Sequence, residues 1–192
     1  MSFPEVKNKI FGIYMAVDYH PNTDFIFNRM AKELNIIPDN GVDEHYNPRM
    51  VNGKEGYKYH TTIIYSKFKV PKDNKDPICS FPTKNGSTIF MKKKPKIQAP
   101  IRIVGAGFFD TPDGLNFHIK VESVFLRSEF RRAVRFGLPT DFPQYQPHIT
   151  IKNNVSKEFK QRVLTGDLKE VIQKYIGTTL YTNDEYIELL DK

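Results

Sequence analysis

Tyr145-Gln146-Pro147-His148-Ile149-Thr150-Ile151-Lys152 is the stretch on which the fold and chemistry of this chain turn. Gln146 to Lys152 reads as a strand, so the side chains of His148 and Thr150, two residues apart, point to the same face. A second stretch has the same build: Tyr57-Lys58-Tyr59-His60-Thr61-Thr62-Ile63-Ile64-Tyr65-Ser66 places His60 and Thr62 side by side on a strand. The chain has five histidines, His20, His45, His60, His118 and His148, and only these two sit in His-x-Thr followed by an apolar residue. If the two strands are neighbours, two imidazoles and two hydroxyls converge on one hollow.

Such a set suits a phosphodiester. Cleavage needs one group to take a proton from the attacking oxygen and another to protonate the departing one. An imidazole, with a reference pKa of about 6.5, does either near neutral pH. A threonine hydroxyl can donate to a non-bridging phosphate oxygen, where charge grows in the transition state. Neither role needs a metal. A single His-x-Thr in a half-buried strand is common and means little. Two of them in like positions of two similar halves are a much rarer coincidence. Metal binding by the pair ranks low, because no neighbouring carboxylate or third histidine completes a ligand set.

Outward from the motifs, the order of elements repeats. Phe11–Val17 reads as a buried strand, followed by a loop with helix-start chemistry at Asp18–Asp24. Phe25, Ile26, Met30 and Leu34 then recur at helical spacing up to about Asn35. Residues 38–56 read as a long loop, and 67–86 as an inserted arm rich in Lys and Pro. Strands are expected at 87–91, 96–109 and 115–122, with turns at Asn85-Gly86 and Asp113-Gly114. Val124, Phe125, Phe130, Val134 and Phe136 fit a helix with a basic outer face, and the second histidine strand follows. Helices at 156–164 and 167–175 and strands near 178–181 and 185–190 close the chain. Each half thus runs from strand through helix to a histidine strand. The expectation is a single α+β domain over 1–192.

Composition sets outer bounds. Apolar residues make up 39% of the chain, enough for a core and against global disorder. The one cysteine, Cys79, excludes an internal disulfide and a cysteine-based zinc site, and fits a reducing cytoplasm. No apolar run approaches the roughly 18 residues of a membrane span, and the first residues lack a signal peptide's apolar stretch, so a cytoplasmic protein without a membrane partner is expected. The formal charge of +7 favours phosphate-bearing ligands, with the densest basic runs at Lys92–Lys96 and at Arg127, Arg131, Arg132 and Arg135. Solvated faces explain such runs more often than ligand sites do.

Together these motifs resemble the 2H phosphoesterase superfamily, whose mark is a pair of His-x-Thr/Ser motifs. Tyr145–Ile151 is similar to its aromatic-x-Pro-His-hydrophobic-Thr-hydrophobic signature, and Tyr59–Tyr65 to its first motif. The resemblance implies a two-lobed, LigT-like α+β fold. Antiparallel sheets with outer helices would form a pseudo-twofold cleft holding both motifs. It implies His60, Thr62, His148 and Thr150 as catalytic residues, with no cofactor or metal. Residues 67–100 depart from it, being longer than the family's usual connection. Among its branches the chain is most similar to the phage anti-CBASS phosphodiesterases, which degrade cyclic-oligonucleotide defence signals of bacteria. The cues are small size, the Tyr14-bearing first strand, and His-Thr-Thr with Tyr-Ser soon after. That branch implies a cyclic di- or trinucleotide substrate and, for a phage-encoded chain, the host-cell cytoplasm. An RNA end bearing a 2′,3′-cyclic phosphate is the first alternative substrate, and a nucleotide-binding protein that cuts nothing is the second alternative.

Within that reading Tyr14 is the first candidate to stack on a base, with packing in the core as an equal alternative. Tyr145 and Phe142 precede the second motif and fit a cleft mouth. Lys58 and Lys152 fall on the motif faces, in reach of phosphate, although a solvated strand end is the commoner fate of such lysines. Tyr65, odd-spaced from His60, should face the core. Tyr181 and Tyr186 are weaker candidates for a lid. His118 reads as a structural histidine of its strand, and His20 and His45 as loop residues.

Overall fold

The computed structural model describes residues 10–39, 43, 45, 50–51, 54–55, 58–71, 80–82, 88–90, 98–135, 138 and 140–190. The chain is a mixed α+β structure. Its long strands are β1 (Ile10–Tyr19), β4 (His60–Pro71), β7 (Pro100–Thr111), β8 (Gly114–Glu122), β9 (His148–Val155) and β10 (Thr179–Leu190). They form one antiparallel sheet in the order β1-β10-β7-β8-β9-β4, with β4 returning to β1. Two short hairpins stand apart, β2 (Met50–Val51) with β3 (Lys54–Glu55), and β5 (Ser80–Pro82) with β6 (Thr88–Phe90). The four helices among the described residues are α1 (Pro21–Glu33), α2 (Val124–Arg135), α3 (Lys157–Leu164) and α4 (Lys169–Tyr175). None is long and apolar enough to cross a membrane. The expected Asn85-Gly86 turn, the basic run Lys92–Lys96 and Cys79 lie outside the described residues.

The pairing is uneven around the sheet. β1 runs along β4 and β10 for most of its length, and β8 does the same between β7 and β9. The seams joining these two triplets are short. β10 meets β7 at Thr179–Tyr181, and β4 meets β9 through Thr61 and Ile149.

Alternation along the strands sorts side chains between two faces. Met15, Val17, Tyr19, Thr61, Phe117, Ile119, Val121, Ile149 and Ile151 are buried and join the core. Phe27 of α1 packs on Tyr59 and Tyr19, with ring centroids 4.7 Å and 6.2 Å away. Phe159 of α3 packs edge-on to Phe117 at 5.2 Å. Tyr14, His60, Thr62, His118, Lys120, His148 and Thr150 occupy the alternate positions, on the opposite face.

Three expectations are corrected in detail. α1 begins at Pro21, four residues before Phe25, because His20 caps it through Nδ1 and Pro21 needs no N–H there. Its buried face runs through Thr23, Phe27, Met30 and Ala31, while Phe25 is exposed. α2 likewise buries Leu126, Glu129 and Ala133, and leaves Val124 and Val134 exposed. Glu129 is tolerated there because Arg132 bonds both it and the buried Glu185, each at 2.7 Å. Finally, the two closing strands are one. The polar Thr182-Asn183-Asp184 segment stays in register because Thr182 Oγ1 accepts the Ala99 N–H at 2.9 Å, and Asp18 accepts the Asp184 N–H at 2.6 Å.

Candidate active site

Each candidate histidine begins a strand, His60 opening β4 and His148 opening β9. The two strands meet at the Thr61–Ile149 pair. Carried one residue each way, that antiparallel register sets His60 across from Thr150 and Thr62 across from His148. Both histidines are held by the same device. His60 Nδ1 lies 3.0 Å from the Lys58 carbonyl, and His148 Nδ1 lies 2.8 Å from the Gln146 carbonyl. A carbonyl only accepts, so each Nδ1 carries a proton and each Nε2 is left for chemistry.

Three bonds tie the approach to the second motif back onto β4. Tyr145 donates its hydroxyl to the Thr62 carbonyl at 3.2 Å, the Asp141 N–H reaches the Tyr65 carbonyl at 3.0 Å, and Ser66 Oγ reaches Asp141 at 3.2 Å. The Tyr145 ring stacks on Phe130 of α2 at 4.6 Å, nearly parallel. Burial pushes its phenol far up. Tyr145 therefore braces Thr62 and α2 with its hydroxyl already engaged.

Aromatic rings flank both imidazoles. Tyr14 stands edge-on to His60 at 6.1 Å and shares a 3.3 Å hydrogen bond with Thr62 Oγ1. Tyr65 and Tyr186 lie 6.4 Å and 5.9 Å from Tyr14. Tyr65 thus shares the motif face, against expectation. The register shows why: Met15 pairs with Ile64 and Ala16 with Thr62, so Ile63 is an extra residue. This bulge sends Ile63 and Ile64 both into the core and inverts the alternation beyond.

On the other side, Phe109 of β7 stands edge-on to His148 at 4.9 Å and stacks on His118 at 4.0 Å. His118 is 5.0 Å from His148. Burial, then the charges of His148 and Lys120, hold His118 down at about 3, so it is neutral at working pH. Burial also lowers His148, opposed by its bond to Gln146 and assisted by the nearby His60.

A family model described as anti-CBASS protein Acb1 matches residues 12–192 of this chain. The chain belongs to the Acb1 family. An anti-CBASS protein Acb1 of Escherichia phage RB16 is 32% identical over 152 residues, which are 78% of this chain and 69% of the phage protein. An anti-CBASS protein Acb1 of Salmonella phage S16 is 25% identical over 147 residues, covering 75% of this chain and 73% of its own. The Acb1 match spans both histidine motifs and all six long strands except the first residues of β1.

Within this Acb1-family chain the remaining candidates are spread out. Lys152 pairs with Asp39 at 2.7 Å, and Asp39 also accepts from Asn153. Lys58 is exposed beside His60 and lends it a carbonyl. Phe142 is exposed and lies 6.2 Å from Tyr65, and Tyr181 is half exposed on β10. Sequence reasoning passed over Phe109 and Lys120, and read His118 as structural without placing it beside His148. The signal available was the alternation Asn116, His118, Lys120, which becomes telling only once β8 is known to lie beside β9.

Proposed function

We propose that this chain is a phosphodiesterase that cleaves 3′–5′ bonds in a cyclic oligonucleotide signal and so counters the CBASS defence of an infected bacterium. The observation that carries the reading is the matched pair of backbone-clamped imidazoles, each with its Nε2 free and the other motif's threonine opposite. Membership of the Acb1 family supports the substrate class. The two strand triplets with short seams support a two-lobed arrangement with a pseudo-twofold cleft, as in 2H phosphoesterases.

In this mechanism His148 is the base. Its buried site beside Phe109 favours the neutral form, and its Nε2 takes the proton of the ribose 2′-OH next to the scissile phosphate. The 2′ oxygen attacks phosphorus, and the bond to the 5′ oxygen breaks. Protonated His60 delivers its Nε2 proton to that oxygen, which leaves as a hydroxyl. The product end is a 2′,3′-cyclic phosphate, which water can open by the reverse use of the same pair. Thr62 and Thr150 donate to the non-bridging oxygens, and Tyr14 orients Thr62. The imidazoles supply both proton transfers, so the reaction runs without a metal.

The test is incubation, with chelator present, with cyclic di- and trinucleotides and with RNA ending in a 2′,3′-cyclic phosphate, products being identified by mass. Linearised cyclic oligonucleotide is the expected product. Opening of the RNA end alone would move the substrate to RNA, and intact ligand throughout, despite binding, would leave a sequestering protein.

A further inference from the structure

We infer that Lys120, lying over Gly107 beside the Phe109–His118 stack, forms a second phosphate subsite that holds the phosphodiester not being cut. The inference rests on the proposed cyclic-oligonucleotide reading and names the residue that recognises the ring's other phosphate. Lys120 is the register partner of His148, directly across β8 and β9 on the face that carries both motifs. It is exposed, and it makes no ion pair with any described residue. Lys152, the lysine expected at phosphate, is held by Asp39 instead.

The strand beneath is shaped for something above it. A Cβ at Gly107 would come within 2.6 Å of Lys120 Cε and within 2.6 Å of His118 Nε2, so glycine lets both side chains lie down on β7. A Cβ at Gly105 would meet nothing within 4 Å, so that position opens on free space. Phe109 walls the other end, stacked on a buried His118 that is neutral and leaves the ammonium as the positive charge of this hollow. The hollow thus offers one cation and one aromatic ring immediately beyond His148. On the other side the register partner of His60 is Asp18 of β1 rather than a lysine, and Tyr14, Tyr65 and Tyr186 gather near it. A ring whose scissile phosphate sits between the imidazoles carries its next phosphate one ribose away. A mobile ammonium suits that charge.

The experiment measures binding, so that it stands apart from turnover. Two probes are titrated calorimetrically into wild type, Lys120→Met and Lys120→Arg. One is a phosphorothioate cyclic dinucleotide with two phosphate groups, and the other is a linear dinucleoside monophosphate with one. Lys120→Met should weaken the cyclic probe by about tenfold or more, the size of one lost charge-assisted contact. The linear probe should change by less than about twofold on the same scale, and Lys120→Arg should restore most of the loss. Equal weakening of both probes, or none of either, overturns the subsite. If wild type binds neither probe, the cyclic-oligonucleotide reading itself falls, and the subsite with it.

Discussion

Thr61 of β4 and Ile149 of β9 face each other as the one ladder pair that joins the two motif strands, and the functional groups are disposed evenly about it. Both side chains are fully buried, and Thr61 Oγ1 meets the Tyr19 hydroxyl at 2.6 Å beneath the site. The pair therefore sets the spacing of the two imidazoles from the core side of the sheet, opposite the face that carries the motifs.

From this arrangement follows the loss expected in His60→Ala and His148→Ala. Each removes one proton-transfer partner, so each should lower kcat by roughly 10²–10⁴-fold. The two act as a unit, and the double variant should be little worse than either single one. Ligand binding by calorimetry should survive in both. Activity near wild type in either single variant would refute the paired mechanism.

The pH profile should separate the two roles. Burial lowers the His148 imidazole below its ordinary value, so it stays neutral to a lower pH than a free histidine. If His148 is the base, activity falls as it is protonated. The acid limb of kcat/KM then lies below about pH 6.5, the reference value for imidazole. Rates measured from pH 4.5 upward decide this, and an acid limb above that value would reverse the assignment of base and acid.

Much of this was legible in the sequence, for a definite reason. His148, Thr150, His60 and Thr62 declare themselves because alternation in a strand is local, and two local patterns of one kind invite pairing. β7, β8 and β9 were likewise readable as strands from alternation and from the Asp113-Gly114 turn, where Gly114 takes φ 115°, although β7 begins at Pro100 instead of 96 and β9 runs from His148 to Val155 instead of from 146 to 152. What local pattern does not carry is register. The bulge at Ile63, which turns Tyr65 toward Tyr14, depends on how β4 matches β1. Lys120 gains its meaning from standing opposite His148, and Lys152 is committed by Asp39, distant in sequence. The break expected at Thr182–Asp184 failed for a similar reason, since partners on β1 and at Ala99 satisfy that polar segment.

Tyr145→Phe tests the brace between the second motif and Thr62. The substitution keeps the ring on Phe130 and removes the bond to the Thr62 carbonyl. Stability should fall by about 0.5–1.5 kcal/mol, one neutral hydrogen bond. Because Thr62 faces the reacting phosphate in the proposed mechanism, kcat should fall several-fold while KM changes little. A raised KM with kcat intact would make Tyr145 a substrate contact instead.

His118 should couple folding to pH. Its folded value of about 3 lies below the unfolded imidazole value of about 6.5, because burial and the neighbouring charges of His148 and Lys120 disfavour the charged form. Between those two values the unfolded chain binds the extra proton, so stability falls as pH falls through the window and is fully present above it. At pH 5 the loss should be at most about 2 kcal/mol, near 1.4 kcal/mol for each pH unit below 6.5. Urea unfolding at pH 7.5 and pH 5 measures it. His118→Gln keeps a polar side chain near Gly107 and cannot titrate, so it should cost stability at pH 7.5 and cost less at pH 5. A difference between wild type and His118→Gln that stays constant across the two pH values would show that His118 does not resist protonation in the folded protein.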